Sequence, residues 1–310
     1  MNYLSMIFFQ IVAPILVLLV VGGILQKKFN FNLKALSYLI NYCFMPAAVF
    51  VNIYETTIQL EVLGRVALFI IIFIGSQMLI SHFISKILGL TSTESAVFKN
   101  SVVLINSGNY GIPVAQMVFA MQPIGVAIQV ILVIFQNITT YTYGLYNLIS
   151  TTKSGKEIFK DFLKLPILYA LILGIILNVF NLPIPDSFRI PIDYIAEGFV
   201  AVALITLGAQ LSQIEIRTML NKTIIVSCIT RLLVGPSIAL LVIYILGLDG
   251  VIAQSLLIAS SFPTSRNSSS LALEYDIDSN IAAQTVLFST VMSCLTVTFV
   301  IYLSTVLFGA

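Results

Sequence analysis

Arg266 stands three residues after Pro263 in the stretch Ser260–Ser270, SSFPTSRNSSS, with apolar runs on either side. A second polar stretch, Asn106–Pro113, NSGNYGIP, lies between SVVLI and VAQMVFA. An arginine at the centre of a membrane helix costs about 2.5–3.5 kcal/mol even on insertion scales, so Arg266 is expected to face an interior cavity. Its planar fork suits carboxylates. Pro113 and Pro263 cannot donate the i→i−4 hydrogen bond and clash with the preceding turn, so each stretch should break its helix. Gly108 and Gly111 are expected to ease unusual backbone angles at the first break. Proline suits the first position of a helix, so new half-helices should begin near Pro113 and Pro263. Their positive N-terminal ends would then meet at mid-depth and form an anion site. The candidate binding residues are Asn106, Gly108, Asn109, Tyr110, Gly111 and Pro113 from one break. The other contributes Pro263, Thr264, Ser265, Arg266 and Asn267. Asn41, Pro46, Gln136, Asn137 and Gln210 are candidates to line the same cavity. Glu197 is a candidate proton carrier, or a structural partner of Arg266 in place of an anion. Arg231, deep in another apolar run, is read as a structural ion pair, and the single histidine, His82, as interfacial.

These residues need a membrane around them. Of 310 residues, 59% are hydrophobic and 9% charged, with mean hydropathy +1.05. Soluble domains carry about 25% charged residues, so this chain lacks the charge for a soluble surface and reads as an all-α polytopic membrane protein. About 20 apolar residues cross a bilayer, and ten candidate spans result: 4–25, 33–53, 64–89, 96–119, 124–149, 166–181, 191–211, 222–246, 251–273 and 281–307. The first is read as a membrane helix rather than a signal peptide, because it lacks a basic start and is followed by Lys27 and Lys28.

With the N-terminus outside, eleven basic residues fall on the cytoplasmic side: Lys27, Lys28, Lys34, Lys86, Lys99, Lys153, Lys156, Lys160, Lys164, Arg217 and Lys222. Two, Arg65 and Arg189, fall outside. Both termini are then outside a cell membrane. The polar linker 150–165 divides the chain into helices 1–5 (residues 1–149) and 6–10 (residues 166–310). PILVLLVVGGILQ from Pro14 resembles PILYALILGIILN from Pro166, with Gly22 matching Gly174 at one offset. Five helices per repeat force the copies into opposite orientations, so an inverted repeat is expected, with the breaks in equivalent fourth and ninth helices.

Several function classes have little support. No basic tract with interleaved aromatics suggests nucleic acid as a partner. No HExxH, P-loop, GxSxG or metal-ligand cluster suggests an enzyme, a metal or a cofactor. Cys43, Cys228 and Cys294 lie in apolar runs without CxxC spacing and read as buried small side chains.

The chain resembles the auxin efflux carrier family, which includes plant auxin exporters and bacterial permeases for malate and related acids. The resemblance rests on NSGNYGIPV, on PAAVF at Pro46–Phe50, on ALITLGAQL from Ala203, and on Pro263 followed by LALEYDID. It implies a fold similar to the sodium–bile acid symporters, with a scaffold domain (helices 1, 2, 6 and 7) and a core transport domain (helices 3–5 and 8–10). It also implies broken helices 4 and 9 that cross at their prolines, substrate bound beside the crossing, elevator-type movement and a homodimer. The expected activity is secondary transport of small organic anions, carboxylates such as malate. The linker is too short for the large regulatory loop of many plant carriers, which points to a bacterial-type permease. Alternatives are a sodium-coupled symporter of larger amphipathic anions, or a non-transporting membrane sensor.

Overall fold

The computed structural model describes residues 8–9, 13–55, 60–148, 166–214 and 221–309. The linker 150–165, Arg217 and the first part of the 4–25 span lie outside these residues. Among the described residues the chain is all helical apart from one isolated bridge. The helices are α1 Ala13–Phe29, α2 Leu33–Glu55, α3 Leu60–Ile87, α4 Ser92–Val103, α5 Ile112–Val118 and α6 Pro123–Leu148. They continue as α7 Pro166–Val179, α8 Asp186–Leu211, α9 Lys222–Leu246, α10 Gly250–Ser260, α11 Arg266–Glu274 and α12 Ser279–Phe308. Six of these, α2, α3, α6, α8, α9 and α12, are long and apolar enough to cross a membrane.

Local chemistry fixes the ends. Asn32 caps α2 through the Lys34 and Ala35 amides. Thr91 and Glu94 form a capping box on α4, Asn221 caps α9 and Asp249 caps α10. Gly247, at φ +59°, closes α9 in the left-handed conformation that glycine adopts freely.

From α1 onward, four turns among the described residues are widened to i→i+5 bonding: Ile40–Phe44 in α2, Ser107–Gly111 leading into α5, Thr140–Gly144 in α6 and Thr230–Val234 in α9. Such turns gather at functional sites because they re-aim side chains.

The helices pack in two groups. α1 lies against α8, and α2 lies against α7 and α8. Arg189 ties this group together at one end, binding Glu55 of α2 and Asp193 one turn along α8, with its guanidinium 5.3 Å over the Tyr54 ring. The second group joins α3, α4, α6, α9, α10 and α12 around a buried cluster that includes Phe69, Phe73, Tyr110, Leu256 and Phe262. The seam between the groups is apolar, with Met45 and Val49 of α2 and Phe199 of α8 against Ile112, Ala127 and Val130.

Candidate functional site

The two polar stretches meet. Ile105 and Thr264 form an antiparallel bridge, with Asn106 N donating to Pro263 O at 2.9 Å and Ser265 N to Leu104 O at 2.7 Å. Each break therefore supplies the backbone partners the other lacks. Past the bridge, Asn106 opens the wide turn Ser107–Gly111, and Ser265 caps α11 by accepting from Asn267 N at 3.2 Å. Residues of both half-helix starts line one cavity.

Gln136 of α6 joins the two starts. Its Oε1 accepts from Ser107 N at 2.9 Å and its Nε2 donates to Ser265 Oγ at 3.3 Å. Gln129, seven residues earlier on the same face, donates to Ser107 O at 3.0 Å. Gln136→Leu leaves the buried Ser107 amide unpaired. We expect it to cost about 1–3 kcal/mol, measured as a lower melting temperature of the detergent-purified protein.

A cavity of about 260 Å³ opens here between the two groups. Nine of the sequence candidates line it: Asn106, Gly108, Asn109, Ser265, Arg266, Asn267, Asn41, Gln136 and Asn137. Tyr38, Tyr42, Met45, Tyr141, Pro166 and Ile167 also line it; none was singled out from the sequence as a site residue. The available signals were Tyr38 and Tyr42 one helical turn apart, and the Gln129–Gln136 spacing. Arg266 also borders a second cavity of about 710 Å³, which Gln210 lines. Its Nη1 donates to Ser37 Oγ at 3.0 Å across the seam, and Gln210 Nε2 donates to the same hydroxyl at 3.1 Å. Asn106 Nδ2 and Asn109 Oδ1 are buried at the site without a hydrogen-bond partner.

Other candidates lie elsewhere. Tyr110 is fully buried in the core, edge-on to Phe262 at 5.7 Å and hydrogen-bonded to Ser293. Thr264 donates to Ser101 O at 2.7 Å and faces the helix bundle. Pro113 is buried in the first turn of α5, where a half-helix was expected to begin, and Pro46 lies on α2 outside both cavities.

Pro263 is buried in the extended segment and gives its carbonyl to the bridge, so α11 begins at Arg266 rather than at the proline. The two prolines are 150 residues apart but the paired residues 105 and 264 are 159 apart, so the prolines do not occupy matching places.

Gly108 and Gly111 are not at positive φ. They serve close approach instead: a Cβ on Gly111 would stand 2.7 Å from the Phe262 ring, and one on Gly108 3.0 Å from Met45 Cε. Glu197 is exposed on the α8 face it shares with Tyr194 and Ala201, while Arg266 bonds Ser37, so the alternative Glu197–Arg266 pair does not form.

Sequence comparison agrees with this architecture. The chain matches the membrane transport protein family, of auxin efflux carrier type, over residues 7–164 and 154–301. It belongs to that family. An uncharacterized transporter of Methanocaldococcus jannaschii is 27% identical over 305 residues, covering 94% of this chain and 97% of the relative. An uncharacterized transporter of Methanothermobacter thermautotrophicus is 27% identical over 208 residues, covering 66% and 67%. The protein is thus a multi-pass member of a membrane transport family, and the cavity at the paired breaks is its candidate site.

Proposed function

We propose that the protein is a secondary transporter of small organic anions, of the dicarboxylate class that includes malate, binding them in the 260 Å³ cavity. One observation carries this reading: Arg266 and the unpartnered Asn106 amide share a cavity with two half-helix starts and no acidic residue. Each helix start contributes about half a positive charge. Two starts and one guanidinium sum to about +2, the complement of a dianion. Drug-sized ligands occupy cavities of about 300–1,000 Å³. This smaller space suits a short acid and counts against the large amphipathic anions of the symporter alternative.

The reading includes ten spans in two inverted five-helix repeats, residues 1–149 and 166–310 about the linker 150–165. The repeated glycines support it. Gly22 of α1 is pressed on α8, and Gly174 of α7 is pressed on α2 near Phe50 and Ile53. In this reading α1, α2, α7 and α8 form the scaffold and the second group moves along it as an elevator. An apolar seam with few directional bonds suits such sliding. The cavity lies toward the helix ends that carry Lys34 and adjoin the linker. In this reading that end is cytoplasmic by the positive-inside rule, both termini lie outside the cell membrane, and the state is inward-open. The homodimer follows from the family resemblance.

The test is a panel of radiolabelled mono-, di- and tricarboxylates offered to proteoliposomes, with and without proton and sodium gradients. Saturable uptake of a dicarboxylate, competed by close analogues, is expected. Uptake of no carboxylate, or of bile-acid-sized anions alone, would overturn the reading.

A further inference from the structure

Among the described residues Arg231 is the largest side chain buried completely, and anion binding gives it no work. It sits in the wide turn Thr230–Val234 of α9. Nη1 donates to Val102 O at 2.9 Å and Nη2 donates to Ser260 O. Val102 lies in the last turn of α4, and Ser260 is the last residue of α10. These are the first halves of the two broken helices. Their C-terminal ends converge on the far side of the bridge from Arg266. Among the described residues no carboxylate pairs with Arg231, so the expected side-chain ion pair is replaced by backbone carbonyls.

The charge balances without an acid. Each helix C-terminus presents about half a negative charge, and two of them match one guanidinium. Gln77 of α3 stands beside it, 1% exposed, with both amide atoms unpartnered. Both side chains approach Gly235: a Cβ there would lie 3.5 Å from Arg231 Nη2 and 3.6 Å from Gln77 Nε2. The Val102 and Ser260 carbonyl oxygens, one from each helix end, face the same buried guanidinium, and carbonyl oxygens are ligands that hard cations take.

We infer that Arg231 is a tethered cation: it fills a cation site formed by the α4 and α10 C-termini, so the crossing is neutralised without a bound metal ion. The protein then needs no mobile cation at this point in its cycle, and removing the guanidinium uncovers the site. Arg231 is a positioning residue, holding the ends of the breaks so that the opposite half-helices aim at the cavity. Only the transport consequence rests on the function proposed above.

Melting temperatures of the detergent-purified protein and of Arg231→Lys, Arg231→Met and Arg231→Ala test the inference, in choline, sodium, potassium or millimolar guanidinium chloride at equal ionic strength. The wild type and Arg231→Lys should be indifferent to the cation. In choline, Arg231→Met and Arg231→Ala should melt about 5–10 °C lower. Guanidinium, or one of the metal ions, should restore more than half of the Arg231→Ala deficit. If that variant cannot be purified in choline, purification in guanidinium and a stable Arg231→Lys give the same answer.

Three results overturn the inference: Arg231→Met as stable as wild type in choline, failure of every variant with no response to any cation, or wild type that is itself stabilised by sodium or potassium. In proteoliposomes, uptake by Arg231→Ala should depend on the restoring cation while wild-type uptake does not. Wild-type vesicles that take up nothing would sink the transport reading and leave the melting result standing.

Discussion

Arg266→Gln is expected to reduce anion uptake by about thirtyfold to a few thousandfold while leaving the melting temperature nearly unchanged. Truncating one partner of a buried, hydrogen-bonded charge pair costs about 2–5 kcal/mol, and each 1.4 kcal/mol is tenfold. The stability side follows from the contacts: the guanidinium borders two cavities and donates to Ser37, so its loss removes little packing. Arg266→Lys keeps the charge but loses the fork, and uptake should fall about tenfold, through KM more than through the maximal rate. Ser37→Ala should be milder still, because it removes one neutral hydroxyl that the bound anion would displace. Initial uptake rates across a substrate series, with melting curves on the same preparations, check all three. Undiminished uptake by Arg266→Gln would remove the anion clamp from the proposed function.

The location of the candidate site was legible in the sequence because the bilayer makes polarity conspicuous. A cluster such as SSFPTSRNSSS inside an apolar run demands an interior explanation, and two such clusters demand a joint one. Which side chains turn into the cavity was not legible. A widened turn adds a residue and shifts the helical phase, so Asn109 faces the cavity while Tyr110 enters the core. The same shift in α2 brings Asn41 and Tyr42 to the cavity wall. Prolines marked the broken helices but not the break points, because the pairing forms at Ile105 and Thr264, whose letters announce nothing. Arg231 was read as half of an ion pair because sequence shows side-chain partners only. Its acceptors are the carbonyls of Val102 and Ser260, and a carbonyl belongs to every residue. Glu197 looked placed for Arg266 by depth alone, and the orientation of α8 turns it outward.

Gly208→Ala should be among the most destabilising single-methyl changes in the protein. A Cβ on Gly208 would overlap the Leu19 carbonyl group, 2.6 Å from its carbon and 2.7 Å from the Leu19 Cα. The contact is reciprocal, since a Cβ on Gly22 would stand 2.7 Å from the Ile205 carbonyl carbon and 3.0 Å from Ala209 N. In lipid there is no hydrophobic force between helices, and close backbone approach at small residues is what holds α1 to α8. Overpacking typically costs about 1–3 kcal/mol, where side chains can yield. Here the obstacle is main chain on both sides, so α1 and α8 must separate along their length, and the upper end of that range is expected. Gly22→Ala should behave alike. The combination should cost less than the sum, because the first substitution already parts the helices.

Two other glycines supply the controls. A Cβ on Gly23, one residue along α1, meets nothing closer than Ser212 Cβ at 3.5 Å, and one on Gly75 of α3 meets nothing within 4 Å. Both alanine variants should melt at or above the wild-type temperature, since alanine favours helix over glycine by about 0.8–1.0 kcal/mol. The four melting curves together separate packing from propensity. Were Gly208→Ala to melt with Gly75→Ala, α1 and α8 would not cross where Gly22 and Gly208 place them. The scaffold along which the second group is proposed to slide would then have to be built from a different pair of helices.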